Sequence, residues 1–98
     1  MAFAQQHKVV VVDFYATWCG PCVRIGPHVH KRAHEYGIAL AKINVDVNTD
    51  SSAKYGIQAM PTFHVIDATG ASIYKVTGGS EANVDSCFEK AKQHKANH

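Results

Sequence analysis

Hydrophobic and polar residues follow two different periods along the chain, and these periods predict alternating strands and helices. The segment from Lys8 to Ala16 contains a run of valines followed by aromatic residues, which is typical of a buried strand. From Cys19 to Tyr36 the apolar residues recur at helical spacing, which predicts a helix that ends at Gly37. The segment from Ile38 to Val45 predicts a second strand.

A hairpin and a final helix are predicted in the last part of the chain. Thr62–Ile66 and Ser72–Thr77 read as strands, and Asp67–Gly70 between them has the residues of a tight turn. The glycine pair at Gly78 ends the last strand. A buried helical face is predicted from four apolar residues at positions i, i+3, i+4 and i+7, namely Val84, Cys87, Phe88 and Ala91.

A short helical segment completes the predicted order of elements. Thr49 or Asp50 caps it, and it runs to Tyr55 before Gly56 ends it. The order is therefore β-α-β-α-β-β-α, in which a helical crossover makes the first two strands parallel and a hairpin makes the last two antiparallel. This predicts an α/β fold with a small mixed sheet and helices on both of its faces.

Composition and charge exclude several classes of protein. The 98 residues are enough for one domain, residues 1–98, and 46% hydrophobic with 18% charged residues is ordinary for a globular chain. A formal net charge of +2 without a stripe of lysine and arginine does not indicate nucleic-acid binding. We find no apolar run that could span a membrane and no secretory signal in the first residues. Three cysteines are too few for a disulfide scaffold, so a reducing, cytoplasmic location is expected.

The candidate chemistry lies in Trp18-Cys19-Gly20-Pro21-Cys22, where two cysteines stand two residues apart at the start of a predicted helix. Such a pair can alternate between dithiol and disulfide without a cofactor. The helix N-terminus is expected to lower the pKa of Cys19, which makes it the nucleophile, and Cys22 follows as the resolving thiol. Gly20 allows close approach of a partner chain, and Pro21 is tolerated in the first turn. The alternative is a zinc half-site or two buried thiols, although zinc would need a second pair of ligands.

The sequence around Asp13 and around Pro61 indicates two further candidate functional residues. Asp13 ends an apolar strand six residues before Cys19, where burial would raise its pKa and suit it to accept a proton from Cys22. The alternative is a solvated aspartate at a strand end. Pro61 stands at the start of a strand in Met60-Pro61-Thr62-Phe63, and a trans peptide bond is the general expectation there.

The chain resembles the thioredoxin family, whose Asp-Phe-x-Ala-x-Trp-Cys-Gly-Pro-Cys pattern is matched by residues 13–22, and the match extends over nearly the whole chain after Lys8. The resemblance implies a thioredoxin-like fold with about four strands, in which the family's N-terminal strand is missing. It also implies that Asp13 is a buried proton acceptor, that Lys42 approaches it, and that the Met60–Pro61 bond is cis and packs against the cysteines. In the family the backbone before that proline pairs with a substrate strand, and the implied contact surface consists of Trp18, Gly20, Pro21, Ala59, Met60, Pro61 and Gly78.

The activity implied by the resemblance is that of a protein-disulfide reductase that binds no cofactor itself. A flavin- and NADPH-dependent thioredoxin reductase would regenerate the dithiol, and peroxiredoxins or ribonucleotide reductase would be among the targets. Two alternatives stay open, namely a non-catalytic binding module and a disulfide oxidase or isomerase. Gly20 and Pro21 between the cysteines favour a reductant over an oxidase, for which a histidine there would be the clue.

The remaining cysteine and histidines predict structural roles. Cys87 lies on the buried face of the last helix and is expected to be inert, with a regulatory thiol as the alternative. His64 alternates with core residues and is interpreted as structural, whereas the pairs His30 with His34 and His94 with His98 are interpreted as solvated helix faces rather than metal ligands. Only about eight residues precede the first strand, so the edge of Ile38–Val45 is expected to promote a weak homodimer or to be covered by Met1 to Lys8.

Overall fold

The computed structural model describes residues 8–97, and its elements follow the order predicted from the sequence. Most predicted boundaries lie within two residues of those in the structure. The strands are β1 (Val9–Tyr15), β2 (Ala39–Asn44), β3 (Thr62–Asp67) and β4 (Ser72–Thr77), and the helices are α1 (Gly20–Tyr36), α2 (Thr49–Lys54) and α3 (Glu81–Asn97).

The four strands form one mixed sheet in the order β2-β1-β3-β4. Strand β1 is parallel to β2, and β3 is antiparallel to β4, as the connections predicted. Strand β1 is also antiparallel to β3, a pairing that the connections did not predict. The central position of β1 explains its continuous run of valines, because both of its faces are buried. The register places Asp13 opposite Lys42 of β2 and Phe63 of β3, so the candidate proton acceptor lies inside the sheet.

The two faces of the sheet are covered by different helices. On one face Val9 and Val11 pack in a cluster that includes residues of both α1 and α3. On the other face Val10 and Val12 pack in a second cluster, together with Tyr55 and Ile57, which directly follow α2. The prediction of helices on both faces is therefore confirmed. Successive valines of β1 point to opposite faces because side chains alternate along a strand.

A polar cluster joins α1 to α3 on the helical side of the molecule. The Asp85 carboxylate of α3 contacts His28 Nε2 at 2.8 Å and accepts a hydrogen bond from Arg32 Nε at 2.8 Å. Burial works to raise the pKa of Asp85, but the hydrogen bonds from His28 and Arg32 leave it below its usual range. These contacts hold the long helix that carries the cysteines against the C-terminal helix.

Strand β2 is an edge of the sheet within residues 8–97. Its residues Ile43 and Ala41 are half-buried and pack against the second core cluster, so the apolar part of this strand contributes to the core. The predicted covering role of Met1 to Lys8 lies outside the described residues except for Lys8, which is exposed. The weak homodimer stays a prediction.

His64 lies in β3, where it is almost fully buried, as predicted for a structural histidine. Its Nδ1 is 2.7 Å from the Ser72 hydroxyl, whereas its buried Nε2 has no hydrogen-bond partner within the described part of the chain. The ring makes edge contacts with the rings of Phe14 and Tyr55. Burial, assisted by the charge of Lys75, lowers the pKa of His64 from 6.5 to about 4.

We expect His64 to make the fold sensitive to acid. Because its folded-state pKa lies below the unfolded value of 6.5, this histidine opposes folding progressively as the pH falls from 6.5 towards 4. The loss of stability can reach about 3 kcal/mol. Replacing His64 with phenylalanine should remove this part of the pH dependence, whatever its effect at neutral pH. Urea unfolding at pH values above 6.5 and near 4 measures the difference, with exposed His34→Gln as the control, and equal pH dependence of the His64 variant and the parent would contradict the expectation.

Candidate active site

Cys19 and Cys22 form a disulfide at the junction between β1 and α1, with their Cα atoms 5.3 Å apart. Cys19 is the N-cap residue of α1, and its backbone N–H donates to the Ala16 carbonyl at 3.1 Å. The Cys19 Sγ in turn accepts the backbone N–H of Cys22 at 3.2 Å. The strand, the short turn and the helix start together fix the position of this sulfur.

The surroundings of Cys19 are suited to a thiolate. Helix N-termini carry unpaired N–H donors and a partial positive charge. Cys19 occupies the N-cap position of α1, where its side chain can accept hydrogen bonds from these donors. Exposure does not distinguish the two cysteines, because the relative exposure is 5% for Cys19 and 7% for Cys22. The capping geometry is therefore the feature that favours Cys19 as the nucleophile.

Trp18 of the pentapeptide motif is exposed, with 68% of its surface accessible. Its indole Nε1 donates a hydrogen bond of 2.8 Å to the Asp46 carboxylate. The backbone N–H of Asp46 donates to the Asn44 side chain at 2.9 Å, so the turn after β2 holds the acceptor in place. Sequence reasoning did not identify Asp46, which carries no local signal of its contact with a residue 28 positions away.

Asp13 is buried in β1, with 3% of its surface exposed. Burial raises its pKa from 3.8 to about 6, and the positive charge of Lys42 works in the opposite direction. Its Oδ1 has no hydrogen-bond partner in the described part of the chain. The Lys42 side chain is itself exposed, and its ammonium lies 4.8 Å from the centroid of the Tyr15 ring.

A cleft connects Asp13 to the redox pair. Its lining includes Asp13, Cys22 and Lys42, so the predicted proton acceptor, the resolving thiol and the lysine share one space. Apolar and aromatic side chains make up much of the wall, and Tyr15 and Pro27 are among them. The cleft is open to solvent, which gives a proton on Asp13 a route out of the protein.

The loop before β3 contributes the opposite side of the site. The Met60–Pro61 peptide bond is cis, as the resemblance predicted. Met60 packs against the small buried cluster that contains both cysteines. The Pro61 carbonyl accepts the backbone N–H of Gly78 at 2.9 Å, and Gly78 adopts a positive φ of 115° that favours glycine.

The predicted contact residues differ in their exposure. Trp18, Gly20, Pro21 and Ala59 are exposed, whereas Met60 and Gly78 are half-buried and Pro61 is buried. The loop after β4 packs closely on the motif, since a Cβ on Gly79 would lie 3.2 Å from the Cβ of Pro21. Sequence reasoning did not identify this contact.

The remaining cysteine and one histidine lie in different surroundings. Cys87 is buried beneath the sheet, as predicted, and burial raises the pKa of its thiol to about 12, which keeps it protonated and unreactive. His30 is exposed and lines the mouth of the cleft with Asp13, a position that its sequence context did not indicate. Within residues 8–97, no group of three or more histidine, cysteine, aspartate or glutamate side chains has an arrangement that could hold a metal ion. None of the helices described is long and apolar enough to cross a membrane.

Comparison with known sequences identifies relatives of this chain. A sequence model of the thioredoxin family matches residues 1–90. Thioredoxin-T of Drosophila melanogaster is 48% identical over 60 residues, which cover 59% of this chain and 38% of that protein. A thioredoxin of Coprinus comatus is 39% identical over 87 residues, which cover 86% of this chain and 81% of that protein.

Comparison with solved structures gives the same result for the fold. The reduced thioredoxin pre-protein of Schistosoma mansoni superposes with a TM-score of 0.84 at 41% identity, covering 91% of this chain and 86% of that one. A chain at 41% identity with this degree of overlap shares the fold.

Proposed function

The chain belongs to the thioredoxin family, and from this we propose that it reduces disulfides in target proteins and is recycled by an NADPH-dependent thioredoxin reductase. Its Cys-x-x-Cys pair makes it a thiol-disulfide oxidoreductase. The observation that carries the proposal is the placement of Cys19 as the cap of α1, with Cys22 and Asp13 lining one cleft. No bound cofactor is needed, because the two sulfurs hold the two electrons.

The first chemical step uses the reduced form of the protein. The Cys19 thiolate attacks one sulfur of the target disulfide, and the other target sulfur leaves as a thiolate. A mixed disulfide then joins Cys19 to the target. The N–H of Cys22 and the start of α1 stabilise the thiolate before the attack.

The second step releases the target. Cys22 gives its proton to the Asp13 carboxylate and attacks the Cys19 sulfur, so the remaining target sulfur leaves as a thiolate. The products are a reduced target and the Cys19–Cys22 disulfide, and two electrons have passed to the target. A pKa of about 6 leaves Asp13 mostly ionised at neutral pH, so it can accept the proton.

The partners follow from the same proposal. A reductase that draws electrons from NADPH would return the disulfide to the dithiol, and peroxiredoxins or ribonucleotide reductase would be among the targets. Such a cycle supports redox homeostasis and fits a reducing, cytoplasmic compartment. The exposed surface at Trp18 and Ala59 would contact these partners.

The test supplies electrons from two sources to the same reaction. We expect the protein to accelerate insulin disulfide reduction with dithiothreitol, and also with NADPH and a thioredoxin reductase, followed by turbidity and by NADPH absorbance. Activity with dithiothreitol alone would contradict the recycling step. Inactivity with both would favour a binding module, and a reduction potential far above that of a reductant would favour an oxidase or isomerase.

A further inference from the structure

Arg24 places a positive charge beside Gly20, the residue that follows the nucleophile. Its Nη1 lies 3.2 Å from the position that a Cβ on Gly20 would occupy, so the guanidinium covers the residue that follows Cys19. Gly20 and Arg24 are four residues apart on α1 and therefore share a helix face. The absence of a side chain at Gly20 leaves the space in which the guanidinium lies.

The charge of Arg24 is not neutralised by the described part of the chain. No hydrogen bond or ion pair engages Arg24 within residues 8–97, and its side chain is exposed. Arg32 on the same helix differs, because it binds both Asp85 and Glu35. The first turn of α1 also contains no acidic residue. The helix N-terminus and the Arg24 guanidinium therefore both present positive potential to a substrate that approaches the start of α1.

The contact surface around this charge is otherwise largely apolar. Trp18 and Val23, which flank the two cysteines in the sequence, are exposed hydrophobic side chains. Met60 packs against the cluster that contains both cysteines. The nearby carboxylate of Asp46 already accepts the Trp18 indole hydrogen bond. Arg24 can thus add charge selectivity to apolar contact near Gly20.

We propose that Arg24 is a specificity-determining residue, which selects target disulfides that carry an aspartate or glutamate beside the attacked cysteine. The planar guanidinium presents parallel N–H donors that match a carboxylate. This inference rests on the proposed disulfide-reductase function and names a class of its substrates. An exposed ion pair of this kind changes a rate by a factor of about two to five, and salt weakens it.

The experiment compares two disulfide peptides that differ only by glutamate or glutamine next to the cysteine. We measure kcat/KM for both peptides with the parent protein, Arg24→Gln and Lys31→Gln, at low and high ionic strength. Lys31 is a matched control, because it is exposed on the same helix and lies seven residues away, about 10 Å along the axis. We expect the parent and Lys31→Gln to prefer the acidic peptide about two- to fivefold at low salt, and Arg24→Gln to lose the preference.

Other outcomes separate this inference from the proposed function. A parent protein that reduces both peptides equally well contradicts the role of Arg24 and leaves the reductase function intact. An equal loss with both peptides in Arg24→Gln would mean that Arg24 acts on the Cys19 thiolate instead of selecting targets, and would also overturn the inference. A parent protein that reduces neither peptide removes the proposed function itself. Alkylation with neutral iodoacetamide and anionic iodoacetate gives an independent reading, since only the iodoacetate rate should fall clearly in Arg24→Gln.

Discussion

Cys19→Ser is expected to abolish disulfide reduction, whereas Cys22→Ser is expected to trap targets as mixed disulfides. Serine at the capping position can still accept the helix N–H groups, so the fold should persist while the nucleophile is lost. Without Cys22 the first attack can proceed, but nothing resolves the bond to the target. The expected loss of turnover is several orders of magnitude in both variants.

Two measurements distinguish these roles. Insulin reduction gives turnover, and electrophoresis without reductant detects the mixed disulfides that only Cys22→Ser should accumulate. Cys87→Ser serves as the control, because its buried thiol should leave turnover unchanged. Mixed disulfides formed by Cys19→Ser instead of Cys22→Ser would reverse the assignment of nucleophile and resolving thiol.

Asp13→Asn is expected to slow resolution by a factor of ten or more, because general-base contributions are typically about 10²- to 10⁴-fold. The first attack should change little, because the hydrogen bond from the Cys22 N–H to the Cys19 sulfur does not involve Asp13.

The Asp13→Asn variant should also be more stable than the parent protein at neutral pH. The folded-state pKa of Asp13 is about 6 against 3.8 in the unfolded chain, so its stabilising contribution is complete below pH 3.8 and is lost as the pH rises through 6. The cost above pH 6 is up to about 3 kcal/mol.

Stopped-flow fluorescence separates attack from resolution, and urea unfolding across pH measures stability. The gain in stability of Asp13→Asn should be largest above pH 6 and should shrink as the pH falls towards 3.8. Asp50→Asn is a suitable control, because Asp50 is exposed in the short helix. A variant that resolves mixed disulfides at the parent rate would eliminate Asp13 as the proton acceptor.

The elements that carry the site could be predicted because local sequence determines them. The valine run fixes β1, and Cys19 and Gly37 mark the two ends of α1 as a capping residue and a glycine with φ of 61°. The burial of Asp13 could be predicted for the same reason, since the residues on both sides of it are apolar. The cis bond before Pro61 could be predicted only from the family resemblance, because trans is the general expectation.

The contacts between distant segments could not be predicted from the pattern. Asp46 meets Trp18 across 28 residues and Asp85 meets His28 across 57, and polar residues in turns or on helix faces have no sequence signature of such partners. The position of β3 beside β1 is likewise determined by tertiary packing, because the β3–β4 hairpin could have paired with either edge of the β1–β2 pair. The guanidinium of Arg24 over Gly20 depends on a rotamer, which residue spacing does not specify.

The short separation of the two cysteines has a thermodynamic consequence. Their bond closes a loop with a sequence separation of only 3, so it restricts the unfolded chain by about 2 kcal/mol, less than a longer crosslink would. Neither of the two larger core clusters contains a redox cysteine. Oxidised and reduced forms should therefore differ little in global stability. In a thermodynamic cycle this small difference limits how far folding can shift the reduction potential, about 40 mV for 2 kcal/mol. The chain can therefore exchange electrons repeatedly while it stays folded.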